Sequence, residues 1–199
     1  MKFILNALYL LLLLVLGPWI LWRIIVRGKN RQGWIHKLTG RIPVRDSTRP
    51  CVWIHAVSVG EVNVLAPLIM RLEQQHPDWE CVISTTTKTG FALARKKYAP
   101  RTVFYCPLDF SWAVDRAMRR VRPELLILAE LELWPNLIRS AKEHGAKVVV
   151  INGRLSERSA RGYQRIRRLI APTLKSIDLV AVQNHEYADR FRDLGVGPH

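Results

Sequence analysis

The sequence predicts an α/β protein, a Rossmann-like parallel sheet preceded by an N-terminal membrane helix, and three observations predict it. Six short β-branched or apolar runs, 52–57, 81–86, 102–106, 125–129, 147–151 and 179–182, recur along the chain. Between them lie helical periodicities at 61–75, 89–98, 111–121, 135–144, 157–176 and 185–194, which end at breakers such as Gly145 and Gly195. Strand and helix in strict alternation mean crossover connections and hence a doubly wound parallel sheet. Third, residues 3–22 are nearly uncharged and include the run Leu10-Leu11-Leu12-Leu13-Leu14-Val15-Leu16.

Each element has its own warrant. The apolar run is about the 20 residues that a hydrocarbon core requires. Arg23, Arg27, Lys29 and Arg31 follow it, so the positive-inside bias keeps the rest of the chain on the cytoplasmic side. Asn6 and Gly17-Pro18 weaken the span, which leaves open a helix that enters one leaflet without crossing. No small-residue cleavage site follows, as a signal peptide would need. The expected organisation is a membrane anchor over 1–27, a basic juxtamembrane linker over 28–50 and a Rossmann-like domain over 51–199. Gly195-Val196-Gly197-Pro198-His199 reads as a helix exit, where a further strand or an interdomain linker is expected.

Composition narrows the function. The 199 residues are 49% apolar and 24% charged, which excludes disorder and low-complexity architectures. Lys and Arg number 31 against 16 Asp and Glu, a net +15 that biases the chain toward phosphate, on nucleic acid, anionic lipid or a sugar-phosphate ligand. Cys51, Cys81 and Cys106 each sit in an apolar run without ligand spacing, so free buried thiols in a reducing compartment are expected.

The chemistry-bearing residues fall in the turns that follow strands. After the first strand, His55-Ala56-Val57-Ser58-Val59-Gly60-Glu61 leads into a helical stripe of Val64, Leu65, Leu68, Ile69 and Leu72. Glu61 there either complements the helix dipole, with Ser58 as cap, or serves a reaction at the ligand edge. A lone Gly60 is not a dinucleotide fingerprint, and NAD is disfavoured. The second turn, Thr85-Thr86-Thr87-Lys88-Thr89-Gly90, suits a phosphate or sugar and equally a solvated cap. The fourth brings Glu130, Glu132, Trp134 and Asn136 to one edge. Carboxylates beside an apolar indole can have raised pKa values suited to acid–base work, with structural caps as the alternative, and their spacing aims them alike only if the strand runs on through Glu132. The fifth gives Arg154 and Ser156, then a helix with Tyr163, Ile166, Ile170, Leu174 and Ile177 on one face and Arg158, Arg161, Arg165, Arg168 and Lys175 on the other. That basic stripe is either a solvated face or a lipid-headgroup contact. Nucleic acid is disfavoured, since no reading motif accompanies the charge.

Six stretches, in order, resemble the N-terminal domain of the 3-deoxy-D-manno-octulosonic acid (Kdo) transferases. They are His55 to Glu61, Thr85 to Gly90, Tyr105-Cys106-Pro107-Leu108-Asp109, Glu130 to Asn136, Asn152-Gly153-Arg154-Leu155-Ser156 and Ala181-Val182-Gln183-Asn184. The resemblance implies the N-terminal half of a GT-B glycosyltransferase of the inner membrane, with its domain on the cytoplasmic face. It would hold lipid A or its precursor as acceptor, while an absent C-terminal domain binds the donor CMP-Kdo. It implies Glu61 as general base and no metal or other cofactor. Ser58, Gly60, Thr86, Glu130, Glu132, Trp134, Asn136, Arg154 and Ser156 are the expected substrate-binding set. Arg158, Arg161, Arg165 and Arg168 are the expected contacts to anionic inner-membrane lipid. Lys88 and Gly153 stand where the family usually has Pro and Ala, departures that bear on loop geometry. The rival reading is a non-catalytic, membrane-tethered module that binds an anionic glycolipid.

Overall fold

The computed structural model describes residues 2–27, 33–132 and 134–196. Lys29 and Arg31 of the basic flank, Leu133 and the last three residues lie outside them, as do the side chains of Arg23 and Arg27.

Six parallel strands form one sheet in the order β3-β2-β1-β4-β5-β6: β1 (Cys51–His55), β2 (Glu80–Thr85), β3 (Val103–Tyr105), β4 (Leu125–Leu128), β5 (Lys147–Gly153) and β6 (Leu179–Val182). This is the Rossmann arrangement, and each strand lies within two residues of its expected bounds. The chain reverses its direction of build between β1 and β4, where Val52 to His55 pair with Leu125 to Leu128. Side chains alternate across the sheet. Trp53, Leu126 and Leu128 enter one apolar core with Met118, Leu137 and Leu174, whereas Val52, Ile54 and Ile127 enter the other with Val62, Leu65 and Ile69. Burial on both faces explains why the central strands read as continuous apolar runs rather than alternating ones.

The helices are α1 (Lys2–Arg27), α2 (Trp34–Thr39), α3 (Val59–Val64), α4 (Ala66–Gln75), α5 (Lys88–Tyr98), α6 (Ser111–Val121), α7 (Pro135–Glu143), α8 (Glu157–Arg165), α9 (Arg167–Lys175) and α10 (His185–Asp193). Two expected helices are divided. Residues 61–75 split into α3 and α4 at Leu65, because Pro67 has no N–H to bond Asn63 and its ring crowds that carbonyl. Residues 157–176 split into α8 and α9 at Ile166. That break leaves Ile166 46% exposed while Ile170, Leu174 and Ile177 are buried, so Ile166 does not share their face.

Two features concern the N-terminal quarter. Leu8 and the run from Leu10 to Leu16 of α1 are exposed, and no helix among the described residues is long and apolar enough to cross a membrane. Within the segment expected as linker, α2 and the extended chain after it lie against the domain. Ile42 is buried, Gly40 adopts a φ of 65° and a Cβ there would sit 2.0 Å from the Ala113 carbonyl oxygen. The Arg45 guanidinium donates to the Val121 carbonyl at 2.7 Å and pairs with Glu80 at 3.2 Å.

Candidate active site

Ligands of doubly wound sheets bind beyond the carboxyl ends of the strands, at the point where strand order reverses. Here that point lies between the turn after β1 and the turn after β4, which carry Glu61 and Glu132. A cavity of about 620 Å³ lined by Arg49, His76, Trp79 and Arg101 lies instead at the amino ends of the strands, away from this edge.

Glu61 is built into the start of α3. Ser58 Oγ accepts from the Glu61 N–H, and the Glu61 carboxylate reaches back to the Val57 N–H at 2.8 Å and the Ser58 N–H at 3.1 Å. The Ser58 hydroxyl adds a third bond, at 2.7 Å. This reciprocal arrangement is a capping box, so the capping reading of Ser58 and Glu61 holds, and it leaves a carboxylate 8% exposed at the ligand edge. Gly60, beside it, is exposed.

The neighbouring turn is tied to the same loop. The hydroxyls of Thr85, Thr86 and Thr87 approach the Val57 carbonyl oxygen at 3.2, 3.3 and 3.2 Å. Gly90 is required beneath them, since a Cβ there would meet Thr85 Oγ1 at 2.6 Å and Thr87 Oγ1 at 2.8 Å. From α2, Lys37 Nζ donates to the Thr86 carbonyl at 2.7 Å and lies 4.9 Å from the centre of the Tyr105 ring. Burial lowers the pKa of this lysine, partly offset by Cys106.

On the other side of the switch point, β4 ends at Leu128, so strand spacing does not direct Glu130 and Glu132. The backbone turns tightly instead, with the Glu132 N–H on the Glu130 carbonyl at 2.9 Å and the Trp134 N–H on the Glu132 carbonyl at 3.0 Å. Trp134 Nε1 donates to Glu132 Oε2 at 2.8 Å. Burial raises the Glu132 pKa, the indole bond opposes this, and the carboxylates of Glu61 and Glu130 raise it further. The Glu61 carboxylate thus lies close enough to act on Glu132 across the cleft. Tyr163 of α8 joins from the side: burial raises its phenol pKa, and Glu132 adds to that.

Beneath Trp134, His55 packs edge-on at 5.8 Å between ring centres. Its Nδ1 meets Ser84 Oγ at 2.9 Å, and Nε2 has no partner among the described residues. Burial lowers its pKa to about 4, against a Ser84 contribution in the other direction, so the ring is neutral at physiological pH. Sequence reading did not assign His55, although its place at the end of β1 was visible.

The structure thus brings Ser58, Glu61, Thr86, Glu130, Glu132 and Trp134 to one edge. Asn136 lies apart from that group: it is fully buried, and its N–H and Nδ2 are both bonded to Asp109, at 3.0 and 2.6 Å. Arg154 and Ser156 are exposed after β5, and the Ser156 hydroxyl caps α8 through the Ser159 N–H at 3.2 Å. Arg158, Arg161 and Arg165 on α8 and Arg168 on α9 are exposed, so the basic stripe spans two helices, with Arg161 near Glu157 at 3.7 Å. The three thiols are free, and burial pushes Cys51 and Cys81 up to about 12 and Cys106 higher still, which keeps them protonated.

Comparison with known proteins agrees with this layout. The family model described as 3-deoxy-D-manno-octulosonic-acid transferase (kdotransferase) matches residues 27–199. A 3-deoxy-D-manno-octulosonic acid transferase of Chlamydia muridarum is 34% identical over 185 residues, 92% of this chain and 43% of that protein. One from Haemophilus influenzae is 35% identical over 72% of this chain and 34% of its own length. A bifunctional glycosyltransferase/methyltransferase of Fusobacterium nucleatum is 34% identical over 72% of this chain and 23% of its length. The chain spans less than half the length of the relatives it matches. With the matched region running through both carboxylate turns and across all six strands, the chain belongs to the 3-deoxy-D-manno-octulosonic acid transferase family.

Proposed function

We propose that this chain is the acceptor-binding half of a membrane-anchored glycosyltransferase that moves Kdo from CMP-Kdo onto lipid A or its precursor, in lipopolysaccharide core synthesis. The observation that carries the reading is the meeting of Glu61 and Glu132 at the switch point, beside a neutral His55 and an indole. Glu61 takes the proton from the attacking sugar hydroxyl as the oxygen bonds to the anomeric carbon of Kdo and the bond to the CMP phosphate breaks. Glu132 and Glu130, with Trp134, Ser58, Gly60 and Thr86, bind and orient the acceptor, and Arg154 and Ser156 extend that surface. No metal or other cofactor enters the scheme. A second domain, beyond these 199 residues, binds the donor.

Family membership supports the transfer chemistry, and the exposed leucines of α1 support an anchor in the inner membrane with the domain on its cytoplasmic face. Arg158, Arg161, Arg165 and Arg168 then meet anionic headgroups. The test is Glu61→Gln in the complete enzyme, assayed for Kdo transfer to a lipid A precursor. A loss of about 10²–10⁴-fold is expected for a positioned general base, and near wild-type turnover overturns the assignment.

A further inference from the structure

Two helices begin at the carboxyl edge of the sheet without a capping side chain of their own. Phe110 precedes α6 and Trp134 precedes α7, and neither side chain accepts a bond from the helix it introduces. Helix starts leave their first N–H groups unpaired, and buried ones need partners from elsewhere. At α7 the partner is Asp109, whose Oδ2 accepts from the Asn136 N–H at 3.0 Å and whose Oδ1 accepts from the Leu137 N–H at 2.8 Å. At α6 it is Asn6, from the second turn of α1. Asn6 Oδ1 accepts from the N–H of Ser111 at 3.1 Å, and its Nδ2 donates to Ser111 Oγ at 2.6 Å. Tyr9 joins the two caps: its hydroxyl donates to Asp109 Oδ2 at 3.0 Å, and its ring meets Phe110 edge-on at 5.9 Å.

The sequence of α1 fits this arrangement. Between Leu5 and Gly17, Asn6 and Tyr9 are the only polar side chains. They are three residues apart, on one helix face, and Leu5 and Asn6 are buried there while Leu8 and Leu10 to Leu16 are exposed. A carboxamide in an apolar helix is unfavourable unless both its donor and acceptor are matched, and Ser111 matches both.

We propose that α1 is latched to the carboxyl edge of the sheet through Asn6 and Tyr9, and that Asn6, Tyr9 and Asp109 are positioning residues for the turn from Glu130 to Asn136. The anchor helix and the acceptor turn are then one rigid unit, rather than a domain that swings on a basic tether. The latch follows from the contacts alone; its bearing on acceptor binding rests on the proposed function.

The latch is tested on the full 199-residue chain in dodecyl maltoside micelles, by hydrogen exchange at the amides of Ser111, Asn136 and Leu137. The double variant Asn6→Leu, Tyr9→Phe keeps α1 apolar and the ring in place but removes the polar contacts. Losing the neutral carboxamide cap should speed exchange at Ser111 about 3- to 10-fold, and losing the Tyr9 bond that steadies Asp109 should speed exchange at Asn136 and Leu137, which keep their own bonds to that carboxylate, by less, with the central-strand amides of Ile54 and Leu126 unchanged as the control for folding. Unchanged protection at all three amides overturns the latch. Should the double variant not fold, a cysteine pair decides: Asn6→Cys with Ser111→Cys is expected to form a disulfide on mild oxidation, and failure to form it overturns the latch. In the complete enzyme, Tyr9→Phe should raise KM for the lipid acceptor about tenfold and leave KM for CMP-Kdo unchanged. An unchanged acceptor KM overturns the positioning role. Absence of Kdo transfer in the wild-type enzyme overturns the proposed function, and the exchange result still decides the latch.

Discussion

Glu61 and Glu132 sit at the carboxyl ends of adjacent strands, and their surroundings differ in kind. Glu61 accepts two backbone N–H groups and a hydroxyl in a capping box. Glu132 follows a strand that has already ended, holds one indole N–H, and has its pKa raised by burial and by two neighbouring carboxylates. The first is fixed in place by the fold. Among the described residues, the second is held through its carboxylate by Trp134 Nε1. Two carboxylates in unlike surroundings are a usual basis for dividing roles in a site. The one that backbone donors orient suits a base held in a single geometry, and the looser one suits a supporting group that adapts to the acceptor.

The largest expected effect is total: the 199-residue chain incubated with CMP-Kdo and a lipid A precursor should give no transfer, because bringing two substrates together accounts for much of such catalysis. Measurable turnover would place the whole site within these residues. Next, Glu132→Gln in the complete enzyme should lower the rate, but by less than the Glu61→Gln change does. Were Glu132→Gln the more damaging, with Glu61→Gln near wild type, the base would move to the Trp134 turn. As a stability change, Glu61→Gln should cost only about 0.5–1 kcal/mol in urea unfolding, since glutamine also completes a capping box.

A titration separates the caps from the site. Burial raises Asp109 from the ordinary carboxylate range to about 6, against the bonds it accepts from Asn136, Leu137 and Tyr9 and the nearby Arg139. A carboxyl whose folded pKa is raised contributes stability that is full at acid pH, below the unfolded value, and lost as pH rises through about 6. Unfolding free energy should therefore fall between pH 4.5 and 7 by more in the wild type than in Asp109→Asn; parallel profiles would refute it. The smallest effect concerns the rim. Reversing the charge of Arg158, Arg161, Arg165 and Arg168 in a chain lacking residues 1–27 should weaken association with phosphatidylglycerol vesicles at low salt, by about 1 kcal/mol per charge at most. No change would make the stripe a solvated face.

Most of the sheet was legible because burial on both faces writes continuous apolar runs into β1 and β4, and because Gly145 and Gly195 mark helix ends with φ of 83° and 90°. The divided helices were less so. Pro67 announced the break at Leu65, but no residue near Ile166 announced the second. At the site, Ser58 and Glu61 could be read as a cap from their spacing alone. Glu130 and Glu132 could be placed at the edge but not aimed, since that depended on where β4 stopped. Asp109 has no role legible from its own neighbourhood, because its partners lie 27 and 28 residues on, and Asn6 reaches across 105. The available signal was negative: Phe110 and Trp134 begin helices without being able to cap them.

The threonine turn carries one more consequence. A carbonyl oxygen has two lone pairs, and three hydroxyls lie at nearly equal distance from that of Val57. Whichever two donate, the third proton is surplus. The turn is therefore three nearly degenerate arrangements, with one hydroxyl proton left over whichever two bond the Val57 carbonyl. Such redundancy makes the loop tolerant at Thr85 and Thr86, where a single replacement by valine still leaves the Val57 carbonyl saturated, but not at Thr87, whose hydroxyl also caps α5 by accepting from the Gly90 N–H at 3.1 Å.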